Sequence, residues 1–143
     1  MNTLKLKISS IFSFIILTVM GQQKETNNLN VQTIWEKGVT CFLNEDDKGS
    51  ILNFEKLLLL IDKKNPKYSA ALFYIGHSYR VILKSEGLTS VEADRMFECY
   101  TAYLSFPLTI FNVETNKGVE DFLERKKKNR PANNVKKWKD STD

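Results

Sequence analysis

Apolar residues recur every three or four positions along most of the chain, which is the spacing of one face of an α-helix. The run 106–111 is the only candidate for a strand, and Pro107 within it argues against a central strand because proline cannot donate to a ladder. The pattern therefore predicts an all-α fold. The predicted helices cover 31–43, 50–63, 68–84, 90–104 and 114–128, with short polar segments between them.

Two of these helices share one sequence pattern. Self-similarity at a period of 38 positions is typical of helical hairpins that stack on one another. An unrelated helical bundle with the same apolar spacing is the alternative. The pattern is Ile34-Trp35-x2-Gly38-x2-Cys41, and it returns as Leu72-Phe73-x2-Gly76-x2-Tyr79.

Each of the two glycines is followed by a second helix with its own packing residues. These fall 12, 16 and 19 positions after Gly38, and 17, 21 and 24 positions after Gly76. The larger spacing after Gly76 implies a longer turn between the two helices of the second hairpin, over 85–90. The two sets are Ser50, Phe54 and Leu57, and Ala93, Phe97 and Tyr100.

With these motifs, residues 30–105 resemble the tetratricopeptide/Sel1-like helical repeat superfamily. The resemblance implies a short α-solenoid of stacked antiparallel hairpins. The last predicted helix carries Val119, Phe122 and Leu123 on one face. We expect this helix to cap the array, because a repeat array needs a terminal helix with a polar outer side.

The resemblance also implies a concave face, lined by the first helix of each hairpin, that binds a protein or peptide. Tyr74 and Arg80 are the strongest candidates on it, because aromatic residues and arginine supply most binding hot spots. A plain solvated surface is equally consistent with these positions. The predicted partner-binding residues are Thr33, Lys37, Thr40, Tyr74, His77, Ser78 and Arg80.

The first 21 residues have the pattern of a signal peptide. Lys5 and Lys7 precede an apolar run over 11–20, and Val19 and Gly21 lie at the −3 and −1 positions of a cleavage site before residue 22. The apolar run is too short to span a bilayer, although an uncleaved anchor is the alternative. We therefore expect an exported protein, periplasmic or secreted, with a disordered linker at 22–30 and a helical domain at 31–128.

Positive charge is concentrated at the C-terminal end. The chain has a net charge of +4, and residues 117–143 hold nine Lys or Arg against five acidic residues. We expect 129–143 to be a basic, disordered tail behind a helix end. Weak contact of this tail with a membrane surface is the alternative, and an exported protein gives no reason to expect nucleic acid.

Cys41 and Cys99 fall at packing positions of two predicted helices that are not neighbours in a regular array. An oxidising compartment permits a disulfide, but a disulfide needs Cα atoms within about 7 Å. We favour free, buried thiols, and the pairing stays open.

Residues 44–55 have the register of a calcium-binding EF-hand loop, with Gly49 and Glu55 at the sixth and twelfth positions. Lys48 at the fifth position places an ammonium where a ligand oxygen belongs. The same residues also serve as the turn before a helix whose N-terminus attracts acidic groups. We therefore predict no metal site here.

Motifs of catalysis are missing from the sequence: no phosphate-binding glycine loop, no nucleophile elbow and no paired CxxC. With the single histidine, His77, the chain is not expected to be an enzyme or to need a cofactor. We predict an exported adapter or scaffold that binds a protein partner, in an oligomeric state that the sequence leaves open. The alternative is a toxin-neutralising, immunity-type inhibitor that plugs an enzyme with loop 44–49 or 86–90.

Overall fold

A computed structural model describes residues 28–107, 113–130 and 137–139. All regular elements in these ranges are α-helices, so the all-α prediction is confirmed. A single antiparallel bridge, between Leu88 and Trp138, lies outside them. The helices are α1 (28–43), α2 (Asp47–Leu58), α3 (Pro66–Ser85), α4 (Ser90–Leu104) and α5 (Val113–Asn129).

The chain divides into two compact units, Met1–Thr33 and Ile34–Asp143. In the first unit only 28–33 are described, so the predicted signal peptide lies outside the described residues. Residues 28–30, which the sequence assigns to a disordered linker, are helical. The Thr33 hydroxyl donates to the Leu29 carbonyl at 2.9 Å, one turn back along that helix.

Local signals set most helix ends in the second unit. The Asn65 side chain accepts from the Lys67 amide at 3.0 Å, and Pro66 begins α3 with a backbone angle already suited to a helix. The helix α4 has the predicted bounds. By contrast, α2 begins earlier than predicted because Asp46 caps it, and it ends earlier because the Leu59 and Leu60 amides turn back to the carbonyls of the last helical turn.

The segment with calcium-loop register is a turn followed by a helix. Asp46 accepts from the Gly49 amide at 2.9 Å and caps α2, so the register positions from Asp47 to Glu55 are helical. An EF-hand loop needs these residues to wrap around the cation instead. This stretch therefore forms the α1–α2 turn and the start of α2, as the alternative interpretation of these residues predicts.

The two repeated glycines lie against buried aromatic rings. A Cβ atom on Gly38 would lie 2.9 Å from the ring of Phe54, and one on Gly76 would lie 2.6 Å from the ring of Tyr100. The equivalent of Phe54 is therefore Tyr100, and the predicted equivalence with Phe97 is wrong. Met96, Tyr100 and Tyr103, all fully buried, form the packing set of the second hairpin.

The helix α5 buries the predicted apolar face, Val119, Phe122 and Leu123. The ring of Phe122 meets Tyr100 of α4 edge-on at 5.8 Å, and the Arg80 guanidinium of α3 lies 4.7 Å from the same ring. The Tyr103 hydroxyl of α4 also donates to the Asn116 side chain. The helix α5 therefore packs against both α3 and α4.

Both cysteines are free thiols. Cys99 is fully buried, and this burial raises its pKa to about 12. Cys41 is half-buried near Asn53, whose amide nitrogen lies 3.8 Å from the sulfur. Cys99 therefore acts as a small apolar side chain in the core.

Part of the predicted disordered tail is ordered on the domain. Trp138 and Leu88 exchange two backbone hydrogen bonds, each of 2.7 Å. The Trp138 ring is stacked on Phe97 of α4, with centroids 6.1 Å apart. The sequence predicts a basic, disordered tail over 129–143, but Trp138 within it packs an aromatic face on the protein.

Candidate partner-binding site

A depression of about 410 Å³ lies where the end of α1, the α1–α2 turn and α3 meet. Its volume falls in the range of pockets that take a small ligand or a few side chains. Its rim combines apolar and acidic side chains. The residues that line this α1–α3 depression are Phe42, Glu45, Asp47, His77 and Val81.

Aromatic packing fixes the apolar part of the depression. Phe42 meets the ring of Tyr74 edge-on at 4.7 Å and that of His77 at 5.4 Å. His77 in turn lies 5.8 Å from Phe73 on its own helix. Because these rings hold one another, the apolar surface of the α1–α3 depression is formed before any partner binds.

The α1–α2 turn presents Glu45 in a strained backbone conformation. Helix α1 closes with the two bonds of a Schellman motif, from the Asp46 amide to the Cys41 carbonyl at 2.9 Å and from the Glu45 amide to the Phe42 carbonyl at 3.2 Å. This motif places Glu45 at φ 59, where glycine is usual. Strain of this kind concentrates at functional positions.

Replacing Glu45 with glycine is expected to raise the free energy of unfolding by about 0.5 to 1 kcal/mol. The left-handed conformation costs an ordinary residue about 1 to 2 kcal/mol, and the greater freedom of glycine when unfolded offsets part of the gain. Urea denaturation followed by circular dichroism measures the change.

Glu45→Ala is the matched control for this prediction, because it removes the carboxylate but keeps a Cβ atom. We expect its stability to stay within about 0.5 kcal/mol of the natural chain. Equal stabilisation by alanine and glycine would mean that charge, and not backbone strain, is the cause.

A second, smaller hollow adjoins the α1–α3 depression across the α1–α2 turn and has a volume of about 270 Å³. At this hollow the Lys48 ammonium forms an ion pair with the Glu86 carboxylate, with Nζ and Oε2 2.8 Å apart. This pairing lowers the pKa of Glu86. No described residue forms an ion pair with Glu45 or Asp47. The lining of this acidic hollow is Glu45, Asp46, Asp47, Lys48, Ile82, Ser85 and Glu86.

The surroundings of His77 favour its neutral form by lowering its pKa. Burial lowers its pKa from the ordinary 6.5, the nearby charge of Arg80 lowers it further, and Asp47 opposes the shift. Because the unfolded chain protonates His77 more readily than the folded chain does, the contribution of His77 to the free energy of unfolding rises with pH in the window just below pH 6.5. The same contribution is lost as the pH falls through that window.

We therefore expect His77→Gln to reduce the loss of stability on acidification from about pH 7.5 to about pH 5.5. The free energy of unfolding of both proteins, measured at both pH values, isolates the contribution of His77 from that of the carboxylates. The same loss in the natural chain and in the variant would contradict the lowered pKa.

The predicted partner-binding residues fall into separate environments. His77 lines the α1–α3 depression, and Lys37 and Thr40 are exposed on α1. Thr33 belongs to the first unit. Ser78 is fully buried, so its place in the predicted set is wrong: α3 turns it away from solvent.

Tyr74 and Arg80, the two strongest candidates from the sequence, take part in packing. Tyr74 is stacked on Phe54 at 4.9 Å, and burial raises its pKa. Arg80 lies over the ring of Phe122. Changing either residue to alanine would therefore disturb the core as well as any binding surface.

Phe42 and Val81 are absent from the residues predicted from the sequence. Glu45 and Asp47 belong to the loop 44–49, which the sequence predicts as a turn with calcium-loop register and, in the inhibitor alternative, as an enzyme-plugging loop. One signal is present in the sequence: no glycine follows Leu43 before Gly49, so a helix α1 that ends in the common left-handed conformation has to use another residue there.

No family model, curated protein or solved structure matches this chain. Within the described ranges, no three or more His, Cys, Asp or Glu residues are grouped so as to hold a metal ion. None of the helices described is long and apolar enough to cross a bilayer.

Proposed function

We propose that this chain is an exported module of the tetratricopeptide/Sel1-like type that binds a protein partner in the α1–α3 depression. Export is proposed from the N-terminal sequence pattern, and binding from the geometry of the depression. The partner would present an extended segment with an apolar side chain next to a lysine or arginine.

The contacts of the glycines support the repeat assignment. Gly38 of α1 faces Phe54 of α2, and Gly76 of α3 faces Tyr100 of α4. The same relation therefore recurs one hairpin later. In addition, α1 contacts α3 through Phe42 and Tyr74, as consecutive first helices of stacked hairpins do.

The observation that carries the proposed binding is Glu45, an exposed carboxylate held at a strained position beside an apolar surface. Asp47 adds a second carboxylate on the same rim. A lysine or arginine suits this arrangement, because its aliphatic stem can lie on Phe42 and Val81 while its charge meets the acids. The strain would persist because the carboxylate is needed there.

The test is quantitative affinity capture from the organism that makes the protein. The full chain is expressed there with a tag after Asp143 and compared with a Glu45→Gln, Asp47→Asn variant. We expect the variant to capture at least about tenfold less of its main partner than the natural chain does. A decrease of this size is typical of losing one or two charged contacts at a site. The mass of the captured chain also tests export, since cleavage after Gly21 leaves Gln22 at its N-terminus.

Glu124→Gln is the matched control, because Glu124 is exposed on α5 and distant in sequence from the depression. It should capture the partner as the natural chain does. If all three proteins capture the same partner in equal amounts, the α1–α3 depression is not the binding site.

One observation favours the inhibitor as a second candidate. The two candidate loops for plugging an enzyme, 44–49 and 86–90, lie side by side and are joined by the Lys48–Glu86 ion pair at 2.8 Å. They therefore form one acidic surface that could enter a cationic cleft. Capture of a single hydrolase whose activity falls to zero at one equivalent of the chain would support this function over the adapter.

A further inference from the structure

The turn between α3 and α4 pairs with the C-terminal segment of the chain like two strands of a sheet. The Leu88 amide donates to the Trp138 carbonyl and the Trp138 amide donates to the Leu88 carbonyl, each at 2.7 Å. Both bonds are short and reciprocal, as in an antiparallel pair. Recognition of this kind depends on the backbone, so a different extended peptide can make the same bonds.

Gly87 shapes the turn for this approach. Its φ of +80 is a conformation that other residues rarely adopt, and a Cβ atom there would lie 2.8 Å from the Trp138 carbonyl oxygen. A side chain at this position would therefore block the paired segment. Glycine leaves the edge of Leu88 open to another backbone.

Side chains next to this edge select an aromatic residue with cationic neighbours. The ring of Phe97 provides a platform on which Trp138 is stacked, with an angle of 17° between the planes. Lys139, the lysine after the tryptophan, also lies against the turn, because a Cβ atom on Gly87 would lie 3.3 Å from the Cβ of Lys139. Trp138 thus brings its ring to Phe97 and its lysine neighbour to Gly87.

We propose that Gly87, Leu88 and Phe97 form a docking site for an extended segment of a partner protein that carries an aromatic residue next to a lysine or arginine. The C-terminal segment 137–139 is the tethered occupant of this edge site. The partner's segment binds by replacing it. The edge site and the α1–α3 depression bind different ligands. The proposal for the edge site does not depend on the function proposed for the depression.

Segment 137–139 shows what kind of partner segment the edge site can bind, because its contacts do not depend on the rest of its own sequence. Two backbone bonds, one ring stack and the close approach of the next residue to Gly87 are available to any extended segment with an aromatic residue followed by lysine or arginine. Tethering gives segment 137–139 an effective concentration in the millimolar range, which is enough to fill a weak site. A partner segment with further contacts would displace it.

The test uses a fluorescent peptide with the sequence of residues 134–143 and two full-length proteins, the natural chain and Trp138→Ala. We expect the variant to bind the peptide at least about tenfold more tightly, because its own segment no longer competes. A peptide with alanine in place of tryptophan should not bind. Circular dichroism of both proteins establishes that the variant is folded.

Gly87→Ala in the Trp138→Ala background should abolish binding of the peptide, because the added Cβ atom occupies the place of the partner backbone. Absence of binding to a folded Trp138→Ala protein would overturn the proposal, and so would equal binding to both proteins. Dimers of the natural chain that disappear in Trp138→Ala would also overturn it, since the occupant would then be a second copy of the chain.

Discussion

Replacing Phe54 with alanine is expected to lower the free energy of unfolding by about 4 kcal/mol. Phe54 is fully buried, is stacked on Tyr74 at 4.9 Å, and meets Trp35 edge-on at 5.5 Å. Its removal leaves a cavity between α1, α2 and α3 that the interlocked rings cannot fill. Urea denaturation followed by circular dichroism measures the loss.

Leu52→Ala provides the matched control in the same helix, because Leu52 is 56% exposed. We expect it to change stability by no more than about 0.5 kcal/mol, as is usual for surface positions. A loss below about 1.5 kcal/mol for Phe54→Ala would mean that the three helices do not meet around this ring.

Replacing Gly76 with alanine is expected to lower the free energy of unfolding by about 2 kcal/mol. The new Cβ atom would lie 2.6 Å from the buried ring of Tyr100, so α3 and α4 must move apart. Overpacking of this severity costs about 3 kcal/mol. The better helix propensity of alanine returns about 1 kcal/mol.

Gly118→Ala separates these two effects, because apart from the neighbouring backbone of α5 itself no atom lies within 4 Å of the Cβ that it adds. It is expected to raise stability by about 0.5 to 1 kcal/mol through propensity alone. If Gly76→Ala raised stability by the same amount, the close approach of α3 and α4 would be contradicted.

The sequence predicts the helices well where the signal is local. Pro66 and the preceding Asn65 set the start of α3 through their own backbone and side-chain chemistry. The apolar face of α5 follows from the spacing of Val119, Phe122 and Leu123. These features depend on neighbours along the chain, so a single sequence carries them.

The sequence predicts poorly what depends on contacts between distant segments. Phe97 and Tyr100 occupy the same helix one turn apart, and only the position of α3 decides which ring meets Gly76. The docking of Trp138 on Phe97 joins segments separated by a whole helix. Neither result follows from local spacing.

The candidate site shows the same division. Only His77 of the predicted residues lines the α1–α3 depression. The family pattern marks positions on first helices as exposed, but α3 has neighbours on several sides, so Ser78 is buried and Tyr74 packs against Phe54. Glu45 belongs to a turn, and turns lie outside that pattern.

Site-specific photocrosslinking in the native organism tests the central claim most directly. A photoreactive phenylalanine analogue replaces Val81 in the α1–α3 depression or, as the control, Leu52 on α2; these side chains are 38% and 56% exposed. We predict a covalent adduct with one protein partner from position 81 and none from position 52. The same adduct from both positions, or an adduct from position 52 alone, would contradict binding in the depression.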